Sequence, residues 1–69
     1  MQNLMTDKDY ESKHCQQMYT DAILSANQNV RLAIMCGEEG RPTKMRNHAK
    51  AAVIDYQIAH YFYNLFLHS

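Results

Sequence analysis

The stretch Ala49–Leu67, AKAAVIDYQIAHYFYNLFL, carries apolar residues on two sides of one helix, and so requires more cover than a single neighbour supplies. Met45, Ala49, Ala52, Tyr56, Ala59, Tyr63 and Phe66 follow alternating steps of four and three residues, which align them as a coiled-coil-like seam. Ile54, Ile58, Phe62 and Leu65, with Ala51 and Tyr61 beside them, project roughly 90° or more away from that seam. A helix in a two-helix monomer needs one buried face, whereas a helix apolar nearly all round must be buried nearly all round. The simplest cover for the second face is another copy of the same chain.

The first face has a partner within the sequence. Cys15, Tyr19, Ile23, Ala26, Val30 and Ala33 again recur in steps of three and four, widened by Met18, Ala22 and Ile34, while Lys13, Gln17, Asn27, Gln28 and Arg31 occupy the opposite side. Thr6 reads as an N-cap, with Asp7 and Asp9 in the first turn, where carboxylates offset the positive helix end. Neither proline nor glycine falls between Thr6 and Cys36, so one long helix is the economical reading, with the polar run Asn27-Gln28-Asn29 as the place for a local bend. Gly37 stands where a left-handed C′ glycine would end that helix, and Pro42 or Thr43 starts the next. The connection is short enough to make the helices antiparallel neighbours. The expected organisation is a single helical-hairpin domain over 1–69: a short arm at 1–5, a helix over 6–36, a turn over 37–42 and a helix over 43–67. No alternating run, hairpin dipeptide, internal repeat or low-complexity tract suggests strands or a second unit.

Sixty-nine residues lie near the lower limit for a self-sufficient core, and such chains usually add disulfides, a metal or an oligomeric partner. Two cysteines are too few for a secreted disulfide framework. On one helix Cys15 and Cys36 lie about 31 Å apart, far beyond the roughly 7 Å between Cα atoms that a disulfide allows. A formal net charge of zero gives no global reason to expect nucleic acid, a membrane or an acidic substrate. The most apolar run, Ile58–Leu67, is interrupted by His60 and Asn64 and is half the length of a membrane span, and the sequence MQNLMTDKD lacks the cationic, apolar start of a signal peptide. The expectation is a cytoplasmic protein that does not engage a membrane.

No grouping of side chains identifies a reaction. Glu11 and His14 match the E-x-x-H spacing of di-iron bundles, but the second helix offers no glutamate to complete such a site. His14, Cys15, Cys36, His48, His60 and His68 stand at no zinc-finger spacing, and adjacent His14 and Cys15 point about 100° apart on a helix. No catalytic residue, cofactor or metal is therefore expected. Arg41, Lys44, Arg46 and Lys50, with His48 among them, form a basic cluster free of acids; cations at a helix N-terminus oppose its dipole, which makes the cluster a candidate contact for an anionic partner. Tyr56, Tyr61 and Tyr63 with Phe62 and Phe66 suit core and interface packing, or a docking surface for a foreign protein.

These observations predict an all-α antiparallel two-helix hairpin that dimerises into a four-helix bundle, with Ile54, Ile58, Tyr61, Phe62 and Leu65 forming the dimer or partner interface. The expected function is that of a small non-catalytic interaction module that inhibits, adapts or regulates a larger protein. By analogy, this size and chemistry also suit phage or mobile-element proteins that redirect a host machine. The alternative expectation is a dimeric nucleic-acid-binding regulator that uses the basic start of the second helix.

Overall fold

The chain reverses once, over Glu39–Arg41, between helix α1 (Asp7–Glu38) and helix α2 (Pro42–Leu67). These bounds come from a computed structural model, which describes residues 7–68. The expected arm at 1–5 and the Thr6 N-cap lie outside the described residues. No strand occurs among the described residues, and the two helices pack on one another as an all-α hairpin.

Gly40, not Gly37, ends α1. Its φ of 72° is left-handed. The Gly40 amide donates to the Gly37 carbonyl at 3.1 Å and the Arg41 amide to the Cys36 carbonyl at 2.8 Å, the paired bonds of a Schellman cap with Gly40 at C′. Pro42, which has no amide to leave unpaired, then opens α2 at its first position. Gly37 therefore lies within α1. A Cβ there would stand 2.9 Å from the Met45 sulfur, a contact the flexible methionine side chain can relieve.

The seam between the helices is narrow and lined with small residues. The buried side chains among the described residues are Cys15, Ala22, Ala26 and Cys36 on α1 and Ala52 and Ala59 on α2. Met18, Asn29 and Ala33 from α1, and His48, Asp55, Phe62 and Phe66 from α2, lie half-buried at its margins. Small contact residues permit a close interaxial approach. They also remove little apolar area from water, because no large hydrophobic side chain among the described residues is fully enclosed.

The contact face of α2 is therefore rotated from the purely apolar seam that its spacing suggests. The true line is Met45, His48, Ala52, Asp55, Ala59, Phe62 and Phe66, still in steps of three and four. Ala49, Tyr56 and Tyr63 fall to one flank and stay exposed, and on α1 the flanking Tyr19 and Val30 do the same. Two physical reasons account for the rotation: tyrosine is too large for an alanine-lined crossing, and the polar Asp55 and His48 find partners on α1.

The resulting shape is a slab one helix deep, with extents of 57 × 24 × 11 Å. Its radius of gyration is 16.3 Å, against about 11 Å for a compact chain of this length.

Candidate interaction surfaces

A polar layer crosses the middle of the seam. Asp55 Oδ2 accepts hydrogen bonds from Ser25 Oγ at 2.7 Å and from Asn29 Nδ2 at 3.0 Å. Because the Asn29 amide nitrogen is committed to Asp55, its oxygen is left to accept, and His48 Nδ1 donates to it at 3.3 Å. This chain ties two turns of α1 to two turns of α2, and only one register of the hairpin makes all of it. Polar layers of this kind set register in helical bundles. Asp55→Ala removes the shared acceptor and leaves the half-buried Asn29 amide unpaired, with an expected loss of about 1.5 kcal/mol in urea unfolding. Unchanged stability would show that water substitutes fully for the carboxylate.

One broad side of the slab is aromatic. Tyr19 and Tyr63 meet across the helices with ring centroids 5.8 Å apart, and Tyr56 Oη donates to Asn27 Oδ1 at 3.1 Å. Two hollows share the Tyr19–Tyr63 pair as a common wall. One, of 310 Å³, is bounded by Cys15, Gln16, Thr20 and Phe66; the other, of 340 Å³, by Ile23, Tyr56, Ala59 and His60. No charged residue lines either hollow. At its edge, His60 Nε2 lies 3.2 Å from Asn64 Nδ2.

The residues expected at a dimer or partner interface occupy a different surface of α2, on the side away from the tyrosines. Ile54 is 55% exposed, Ile58 39%, Tyr61 59% and Leu65 41%, so these four form an uncovered ridge. Phe62 departs from them: it is half-buried, edge-on to His14 of α1 with centroids 6.2 Å apart, and it contacts the neighbouring Tyr61 ring at 5.2 Å. Phe62 thus belongs to the hairpin's own packing as well as to the ridge.

Arg41, Lys44, Arg46 and Lys50 are all exposed around the start of α2, whose first turn contains no acid and whose N-cap makes no side-chain hydrogen bond. Arg41 Nε approaches Glu39 Oε1 at 3.5 Å, and a shallow hollow runs over Arg41, Pro42, Thr43 and Lys44. His48 leaves this cluster, turned inward toward Asn29. Cys15 and Cys36 are buried free thiols. Among the described residues no three His, Cys, Asp or Glu side chains gather as a metal site, and no helix is long and apolar enough to cross a membrane.

Two features of these surfaces escape a reading based on apolar periodicity. The Ser25–Asp55–Asn29–His48 layer is one, since its residues look like solvent-facing breaks in the pattern. The tyrosine side is the other, since Tyr19, Ile23, Tyr56 and Tyr63 fit a seam equally well until the small residues claim it. Comparison with protein-family models, curated proteins and solved structures gives no match for this chain.

Proposed function

We propose that this protein is a small, non-catalytic interaction module: a homodimer of helical hairpins that inhibits, adapts or regulates a larger protein by presenting an apolar helical ridge to it. One observation carries the reading. Among the described residues the side chains enclosed by the hairpin are alanine and cysteine, while Leu24, Ile34, Ile54, Ile58, Leu65 and Leu67 stay exposed, as do Tyr19, Tyr56, Tyr61 and Tyr63. Monomers rarely leave so much of their apolar content in contiguous exposed patches, and patches of this kind mark protein contacts. Two such surfaces are present, the tyrosine side and the Ile54–Leu65 ridge. A second copy and a partner protein account for both.

The test has two parts. Light scattering at micromolar concentration is expected to give twice the 8.1 kDa chain mass. Capture of a protein from the native source is expected to be lost in Ile54→Glu with Ile58→Glu, with the dimer mass retained. A monomeric wild type, or capture indifferent to the ridge, overturns the proposal.

A further inference from the structure

We infer that the occupant of the tyrosine side is a second copy of this chain, stacked face to face and turned end for end, so that each basic turn lies over the acidic open end of its partner. This rests on the dimer reading above and specifies its face and its direction.

The charge distribution favours that direction. The net charge of zero is not evenly spread: residues 31–50 hold five cations against two carboxylates, and residues 7–21 hold four carboxylates against two lysines. In the hairpin these segments lie at opposite ends of a 57 Å slab, with Arg41, Lys44 and Arg46 beside the turn and Asp7, Asp9 and Glu11 in the opening turns of α1. Two slabs stacked by a twofold axis have two choices. An axis running along the helices superposes the two turns, placing like charges together. An axis crossing the helices at mid-length, near the level of Ile23 and Tyr56, superposes each turn on the other copy's open end. The second choice brings opposite charges within the roughly 8 Å over which they act in physiological salt. It also supplies a reason for cations at the start of α2, where they oppose the helix dipole: the partner copy adds counter-charge beyond the Arg41–Glu39 contact within the chain.

Charge also selects the face. On the side opposite the tyrosines, helical spacing places Asp21, Ser25 and Asp55 near the mid-level. The Asp55 carboxylate is held there by Ser25, and Asp21 accepts from Gln17 at 3.2 Å. A twofold axis across that side would crowd four carboxylates from two copies around itself with no cation at that level. The tyrosine side has none in its hollows. There, Tyr19, Tyr56 and Tyr63 offer large rigid apolar surfaces with hydroxyls that can reach a rim, the chemistry favoured at interface centres. The area suffices as well. A slab presenting 57 × 24 Å broadside needs overlap along only roughly 60% of its length to bury the about 800 Å² per partner of a standard interface.

In this arrangement α1 runs antiparallel to α1 of the copy and α2 to α2, while the Ile54–Leu65 ridges stay on the outside, free for a partner protein.

A label outside the interface tests the direction. Thr43 is exposed at the turn. Nitroxides on Thr43→Cys, in a chain carrying Cys15→Ala and Cys36→Ala, are expected to lie about 40 Å apart in pulsed electron spin measurements on the dimer, from roughly thirteen residues of helix rise on each side of the axis. A separation under about 25 Å would mean superposed turns and overturns the inference. In the native-cysteine background, Ile23→Glu is expected to abolish the dimer and Ile54→Glu to leave its mass unchanged; the reverse result overturns the choice of face. A monomeric wild type removes the dimer reading itself, whereas a dimer with the wrong distance or the wrong sensitive face removes this inference alone.

Discussion

Each tenfold dilution of the protein is expected to lower its melting midpoint by about 5 °C, as the proposed dimer implies when folding and assembly are one event. A tenfold change in concentration is worth about 1.4 kcal/mol for a dimer dissociating into two unfolded chains. Spread over the unfolding entropy of two 69-residue chains, at about 2.1 cal/mol/K per residue, that energy corresponds to the stated shift. The expectation follows from the seam. Alanine and cysteine side chains bury too little apolar area to offset the conformational entropy of ordering two long helices. Chains of this size with a single full core yield roughly 3 to 5 kcal/mol, and this one encloses no large hydrophobic residue among those described. Circular dichroism melts at two concentrations read the effect directly. A midpoint independent of concentration would mean that the hairpin is stable alone.

Ala26→Leu is expected to cost about 3 kcal/mol, although it adds apolar volume to the interior. Ala26 is 0% exposed at the centre of the seam, between Ser25 and the turn that carries Asn29. Three added heavy carbons there find no hollow, since those of the tyrosine side open outward. The helices must separate, and separation stretches the hydrogen bonds from Ser25 and Asn29 to Asp55. Leu24, on the opposite side of α1 and 63% exposed, supplies the control: Leu24→Ala should move the stability read by urea by no more than about 0.5 kcal/mol. Equal effects from the two substitutions would show that the seam is loose.

The hairpin itself was legible in the sequence because its signals are local. Uninterrupted periodicity from Asp7 to Cys36, a glycine-bearing polar turn and Pro42 at a helix start each act over a few residues, and the helices follow them. The choice between the two glycines was less legible: Gly37 and Gly40 both suit a left-handed position, and only the bonds from Gly40 and Arg41 distinguish them. The faces were the hardest to read. Hydrophobic spacing weights Tyr56 and Tyr63 above Asp55 and His48 as seam residues, yet size and hydrogen bonding reverse that order once the alanines bring the backbones close. Of the residues expected to form an interface, Ile54, Ile58, Tyr61 and Leu65 remain on the surface, and Phe62 alone turns partly into the hairpin.

The alanine seam has a consequence for ancestry. Large apolar residues on the slab's outer surfaces can exchange among Leu, Ile, Met and Tyr so long as whatever covers them adjusts, so they drift together with their partners. Ala22, Ala26, Ala52 and Ala59 have no such latitude, since any larger side chain there wedges the helices apart. A descendant of this chain would therefore keep its smallest residues longest, and kinship would be traced through a spaced pattern of alanines and one glycine in the turn.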